Sequence, residues 1–304
     1  MKKLLVLMMA ASLMLLAACG SSGDKANPDT LIMGFVPSQD SDKIAETAEP
    51  LAKELGEILG KEVKAETMTS YSALVEGLGA GTAHIGFIPA FGFVLADSKY
   101  DVEPILKSER HGSATYVAQY LVRADSPVNK LEDLEEHASD MIWAYGDASS
   151  TSGYLFPAAQ LMEMYDLEST TELQKEFFKD SVSSGGHDAS AAAVLEGQAD
   201  IATTFDDVRE TMVEDYPNIM DELKVIGTTK EIPNDTITVP GTLDDELVQD
   251  IKEAFLSFND DEEMIKIMNE VYNWDAIIEA DKSDFDVVKE TYEKLELDES
   301  VLDE

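Results

Sequence analysis

A single cysteine, Cys19, stands in 304 residues, which excludes an internal disulfide and any metal site built from several thiolates. Basic residues are scarce: 22 Lys and Arg face 62 Asp and Glu, for a formal net charge of −40. A chain this acidic is repelled by nucleic acid and by anionic membrane surfaces, so neither is expected as an electrostatic partner. Only one apolar run is long, Leu4 to Leu16, and it is too short to cross a bilayer as a mature helix. There is no internal repeat and no His, Cys or carboxylate cluster at metal-ligand spacing, so no metal or cofactor is expected. The basic residues are also unevenly placed, with no Lys or Arg between Met141 and Leu173.

The stretch lacking those charges is rich in hydroxyls. A strand-like run, Met141 to Tyr145, leads into Gly146-Asp147-Ala148-Ser149-Ser150-Thr151-Ser152-Gly153, after which Tyr154, Leu155, Ala158, Leu161 and Met162 recur at helical spacing. Pro157 fits a first helical turn, where its missing N–H costs no intrahelical bond. Ser150, Thr151 and Ser152 then fall at a helix N-terminus, whose free N–H groups and dipole favour an anion. One serine there could be a simple cap; four hydroxyls in a row exceed what a cap requires.

Other strand, loop and helix units repeat this pattern. Leu31 to Val36 reads as a buried strand, followed by the turn Pro37-Ser38 and a helix through Ile44, Ala48, Leu51, Leu55 and Leu59 that stops at Gly60. Pro50 predicts a late start or a kink near residues 46–50. Thr69-Ser70-Tyr71-Ser72 opens a second helix after the strand Val63 to Thr67, and Pro89-Ala90-Phe91-Gly92-Phe93 follows the strand Ala83 to Ile88. Phe177 to Val182 reads as a strand leading to Ser183-Ser184-Gly185-Gly186-His187 and a helix from Ala189 to Glu196. Taken alone, His187 is either a surface histidine in a glycine turn or a donor completing an anion cage. In open α/β sheets ligands bind beyond the carboxyl ends of the strands, where all these loops must lie. Length beyond one ordinary domain suits two lobes.

Three of these motifs together, Gly34-Phe35-Val36-Pro37-Ser38, Ser150-Thr151-Ser152-Gly153-Tyr154 and Ser184-Gly185-Gly186-His187-Asp188-Ala189-Ser190, resemble the phosphonate-binding, PhnD-like periplasmic proteins of ABC transporters, in that family's order and over roughly residues 31–258. The resemblance implies an α/β, two-lobe periplasmic-binding-protein fold, type II-like, with its ligand cleft between the lobes. It implies a monomeric receptor that hands a small phosphorus oxyanion to an ABC transporter permease, and no enzymatic activity. It also implies that Ser150, Thr151 and Ser152 hold the anion, with Tyr71 and His187 closing the cage. Where the family commonly reads Gly-Pro-Phe-Ser-Tyr, this chain has Pro89-Ala90-Phe91-Gly92-Phe93, so Phe93 would line the pocket without donating a hydrogen bond. Asp206, at a strand end facing the cleft in this scheme, would read an ammonium, cap a helix or tune the anion's protonation.

The remaining expectations concern organisation. Lys2-Lys3, the apolar run and Leu16-Ala17-Ala18-Cys19 resemble a bacterial lipoprotein signal, with residues 1–18 removed and Cys19 lipid-modified. Lipid is then the only membrane attachment, on the extracytoplasmic face. Residues 19–29 read as a flexible tether, 30–121 as the first lobe, 122–226 as the second, and 227–304 as a return to the first lobe plus acidic C-terminal helices. The crossings are expected near 120–125 and 226–231. Other small oxyanions or organic acids remain alternative ligands. A serine hydrolase is disfavoured because Gly146-Asp147-Ala148-Ser149-Ser150 is not a Gly-x-Ser-x-Gly elbow.

Overall fold

The structure, a computed structural model, describes residues 25–295. Alternating apolar runs and glycine stops build two mixed sheets. The first has the strand order β13-β4-β12-β3-β1-β2, from β1 (Thr30–Phe35), β2 (Glu62–Thr67), β3 (Ile85–Ile88), β4 (Val102–Glu109), β12 (Thr236–Pro240) and β13 (Ala276–Glu279). The second has the order β10-β6-β9-β7-β8, from β6 (Ala118–Arg123), β7 (Ile142–Tyr145), β8 (Asp180–Ser183), β9 (Ile201–Phe205) and β10 (Leu223–Thr228). Between them, β5 (Thr115–Tyr116) and β11 (Ile232–Pro233) pair antiparallel where the chain passes from one sheet to the other and back.

Eight principal helices cover the sheets: α1 (Ser41–Leu59), α2 (Tyr71–Ala80), α3 (Ala90–Lys99), α4 (Phe156–Tyr165), α5 (His187–Leu195), α6 (Asp245–Ser257), α7 (Glu262–Tyr272) and α8 (Asp286–Leu295). Their ends follow the sequence signals. Asp40 caps α1 by accepting the Lys43 N–H at 2.9 Å, and Gly60, at φ 63°, ends it in the left-handed conformation. The core of the first lobe is aromatic, with Phe35 stacked on Phe87 at 4.5 Å and Trp274 tilted against Phe87 at 5.5 Å. In the second lobe Trp143, wholly buried, stacks on Tyr154 at 5.5 Å and donates to Thr203 Oγ1 at 2.9 Å. Helix α8 packs on α3 and α4, so the end of the described chain touches both lobes.

Several sequence expectations are corrected. Helix α1 starts at Ser41 and runs through Pro50; both Pro50 and Glu46 are exposed, so the carbonyl that loses its partner faces water, while buried Ile44, Ala48, Leu51, Ala52 and Leu55 hold the helix down. The expected strand from Phe177 begins only at Asp180, because Leu173–Phe177 closes a wide helical turn with Phe177 against Tyr165 at 4.4 Å. β6 and β10, which overlap the expected crossings near 120–125 and 226–231, both belong to the second sheet and pair with each other. The passages therefore lie at about residues 110–117 and 229–235, earlier on the way out and later on the way back. Part of the expected tether is fixed: Asp244 N–H donates to Ala26 O at 2.8 Å, and Lys61 Nζ donates to Pro28 O at 2.8 Å. The export signal and Cys19 lie outside the described residues.

Candidate functional site

Parallel pairing of β1 with β2 and β3, and antiparallel pairing of β12 with β3 and β4, brings the carboxyl ends of β1, β3 and β4 to one edge of the first sheet, beside the start of β12. Across from that edge stand the loop after β7 and the turn before α5. A cavity lies between, lined by Ser38, Tyr71, Arg110, Tyr116, Ser150, Ser152, His187, Asp235 and Tyr272 over an apolar floor that includes Phe87 and Phe205. About 30 Å³ of it is open to the centre of a water-sized sphere, two or three times what one water needs. That space suits a small, compact ligand.

The hydroxyl loop is held by its own hydrogen bonds. Ser150 is the N-cap, its Oγ accepting Gly153 N–H at 3.0 Å, and Thr151–Leu155 forms a widened turn that runs into α4. Pro157 therefore sits one turn later than the sequence suggests. An α-helical bond to Gly153 O is impossible for Pro157, and that carbonyl accepts the Thr203 hydroxyl instead. Asp147 accepts Ser149 N–H at 2.7 Å, and burial raises its pKa above the usual carboxylate value.

The opposite wall is a glycine turn. Gly185 has φ 88°, and Gly186 lies so close to the first lobe that an added Cβ would come within 3.2 Å of Ser38 O. His187 N–H donates to that same carbonyl at 2.9 Å. A second bridge between lobes is the Phe91 N–H, donating to Thr151 Oγ1 at 2.9 Å, so Thr151 caps the first turn of α3 from across the cleft. Both bridges hold the lobes together over the cavity.

Electrostatically the cage is built from neutral donors. Burial, with the nearby Arg110 charge, pushes the His187 ring down to about 3, so it stays neutral at any physiological pH. Ser150 Oγ lies 3.4 Å from His187 Nε2. Because that oxygen already accepts from Gly153, its hydrogen can go to Nε2, leaving the ring proton on Nδ1. That Nδ1 is buried and has no partner among the described residues. Burial raises the pKa of Tyr71, Tyr116 and Tyr272, keeping each hydroxyl a donor, and they interact with Ser150, Ser152 and Ser38 respectively.

A stability test follows from His187. Its folded pKa, about 3, lies below the 6.5 of the unfolded chain, so between those values the unfolded state binds more protons and stability falls as pH drops. The raised pKa values of Asp147, Asp188 and Asp206 act the other way, favouring the folded state at low pH and losing that contribution as pH rises through them. Comparison with His187→Asn isolates the ring. In denaturant melts the advantage of the variant over the parent should grow by about 1.4 kcal/mol per pH unit below 6.5; parallel pH profiles for the two proteins would show that the ring is not held neutral.

Of the residues singled out in the sequence, Tyr71, Ser150, Ser152 and His187 converge on the cavity, with Thr151 adjoining it as a bridge between lobes. Phe93 does not reach it. Helix α3 begins at Ala90, which turns Phe93 away to pack on Phe285 at 5.0 Å. Asp206 is not in the lining either; it accepts the Val117 backbone N–H, and burial raises its pKa. The acid that lines the cavity is Asp235, ion-paired with Arg110. The stretch without Lys or Arg contributes no cation to the lining, but Arg110 arrives from the first lobe. Arg110, Tyr116, Asp235 and Tyr272 were missed. Gly112 in Arg110-His111-Gly112-Ser113 signals a turn after a strand, and could have flagged the first two. Among the described residues no group of His, Cys, Asp and Glu could hold a metal ion, and no helix is long and apolar enough to cross a membrane.

Residues 33–285 match the model of a family described as the ABC transporter, phosphonate, periplasmic substrate-binding protein. The phosphate-import protein PhnD of Mycolicibacterium smegmatis is 28% identical over 258 residues, 81% of this chain and 79% of that protein. Among solved structures, a binding protein component of an ABC phosphonate transporter from Pseudomonas aeruginosa superposes with a TM-score of 0.79 at 22% identity, covering 87% of this chain and 86% of that one. PhnD1 from Prochlorococcus marinus in complex with methylphosphonate gives 0.76 at 21% identity, covering 88% and 99%.

Proposed function

Because the chain belongs to the family of periplasmic substrate-binding proteins of phosphonate ABC transporters, we propose that it captures a phosphorus oxyanion (a phosphonate, phosphite, hypophosphite or phosphate) in the cleft and presents it to a permease. The observation that carries this reading is the convergence of Ser150, Ser152, Tyr71 and neutral His187 around a small cavity at the strands' carboxyl ends. Fixed, uncharged donors around a desolvated space favour a compact anion without requiring matching charge. Two lobes joined by the paired passages at β5 and β11 would hinge open to admit it. We take the first lobe to be the part built on the six-stranded sheet and the second to be residues 118–228.

Binding without turnover fits better than hydrolysis. Ser150 and His187 are adjacent, but His187 Nδ1 has no acceptor among the described residues to orient and charge-stabilise the ring, and burial opposes its protonation. Thermal shift over phosphite, hypophosphite, phosphate, methylphosphonate, sulfate and a simple carboxylate tests the reading. The phosphorus oxyanions should raise Tm by several degrees, since ligand at 100 times Kd contributes about 2.7 kcal/mol. Stabilisation by the carboxylate alone would overturn it, and release of product from a phosphonate ester would restore the hydrolase.

The same proposal places the protein outside the cytoplasmic membrane as a monomer tethered through a lipid on Cys19. Its support is the Leu16-Ala17-Ala18-Cys19 sequence and the lack of any other cysteine. Cys19→Ala should abolish incorporation of labelled fatty acid and release the protein from membranes; unchanged labelling would contradict the anchor.

A further inference from the structure

The site contains one feature that its anion-binding role leaves unexplained: a buried ion pair in the cavity wall. Arg110 is held rigidly. Its backbone N–H and carbonyl exchange hydrogen bonds with Ser113, both at 2.9 Å, across a two-residue turn in which His111 (φ 52°) and Gly112 (φ 74°) are both left-handed. The guanidinium lies 5.4 Å from the centre of the Tyr116 ring, and Nη2 donates to the Asp235 carboxylate. Asp235 is fixed in turn, its carbonyl accepting Ser108 N–H at 3.0 Å, while Asn234 Nδ2 donates to Ser108 O at 3.0 Å and Ser113 O at 2.9 Å. The Arg110 side chain is 10% exposed, and its Nε is buried without a partner among the described residues.

Resting on the proposed function, we infer that Arg110 sets the ligand class: phosphorus oxyanions whose fourth substituent is no larger than a methyl group and carries no positive charge. Three observations lead there. The open volume is small, and the Arg110–Asp235 pair forms part of its wall. Asp235 would otherwise attract a cationic substituent, but it is neutralised by Arg110. An incoming ammonium therefore meets a guanidinium, which is discrimination by repulsion. The guanidinium Nε–H is buried without a partner among the described residues, so Arg110 acts on an anion through its charge rather than through a hydrogen bond from Nε.

Equilibrium titration with methylphosphonate and 2-aminoethylphosphonate tests this on the parent protein without any variant. Methylphosphonate should bind at least about 100-fold more tightly, because the ammonium of the aminoethyl ligand would be buried with no free carboxylate to match it. Arg110→Ser should narrow that ratio at least about tenfold, by weakening methylphosphonate and strengthening the aminoethyl ligand. Adding Asp235→Asn should remove the aminoethyl gain, since the gain comes from the freed carboxylate. Arg110→Gln, which keeps the stem on Tyr116, should narrow the ratio in the same direction should the serine variant fail to fold. Parent affinities within about threefold of each other, or equal weakening of both ligands by Arg110→Ser, would overturn the inference. A parent that binds no phosphorus oxyanion at all would instead overturn the function on which it rests.

Discussion

Ser150→Ala is expected to weaken binding of a phosphorus oxyanion by roughly ten- to a hundredfold. Ser150 shares its hydrogen with His187 Nε2 only over a long 3.4 Å contact, so a ligand oxygen would take it, and removing a hydroxyl that donates to a charged oxygen in a desolvated cage costs about 1.5 to 3 kcal/mol. Ser150 is placed to have that effect: it is 1% exposed, it caps the turn that leads into α4, and it sits between Tyr71 and His187. Loss of the cap adds about 1 kcal/mol of destabilisation, so calorimetric titration should be accompanied by a melt of the ligand-free protein. Serine at 22, outside the cleft motifs, is the control: Ser22→Ala should leave both quantities unchanged. Because the donors are neutral and Arg110 is paired with Asp235, raising the salt from 50 to 500 mM should move the parent's dissociation constant only about threefold or less. Parent-like affinity in Ser150→Ala would mean that the hydroxyl faces no ligand oxygen.

Trp143→Ala should lower the stability of the ligand-free protein by about 3 to 5 kcal/mol. The indole is wholly buried among Tyr145, Tyr154 and Phe178, and its Nε1–H bonds the same Thr203 whose hydroxyl satisfies the Gly153 carbonyl. Its removal opens a large cavity and takes away the N–H that the Thr203 hydroxyl oxygen accepts beneath the anion loop. At about 2 to 4 °C per kcal/mol for a domain of this size, Tm should fall by roughly 6 to 20 °C. Ile58→Ala, at a side chain 48% exposed, should change Tm little. A Trp143→Ala protein melting within about 2 °C of the parent would show that this aromatic stack does not support the second lobe.

The parts of the fold and site that could be read in the sequence are those encoded locally. Gly60 ends its helix where expected and Gly81 ends the next, both left-handed, and Ser70 and Ser150 cap the helical turns that they precede. The glycine turn before His187 and the hydroxyl run after β7 declare themselves through residue type and spacing alone, and their backbones do meet at the cavity. What stayed hidden depends on contacts distant in sequence. Arg110 and Asp235 lie 125 residues apart, joined only because β4 and β12 pair antiparallel. Tyr272 reaches the cleft from the end of α7, where its hydroxyl donates to Val36 O at 2.7 Å, 236 residues away. Phe93 failed for the opposite reason: a loop-like composition concealed a helix that starts immediately after Pro89, and one helical turn redirects a side chain from cleft to core. The passages between lobes were misplaced because β6 and β10 are ordinary strands whose sheet membership no local pattern specifies.

In the proposed mode of binding, neutral hydroxyls at the junction of the two lobes grip the anion together with His187. A crystal structure of the protein with methylphosphonate measures this directly. The phosphonate oxygens should lie within hydrogen-bond distance, about 2.5 to 3.2 Å, of Ser150 and Ser152 Oγ, the Tyr71 hydroxyl and His187 Nδ1, with the methyl group toward the Arg110–Asp235 pair. A phosphonate bound outside this cleft, or held in it by lysine or arginine side chains alone while Ser150, Ser152 and His187 stand clear, would contradict it.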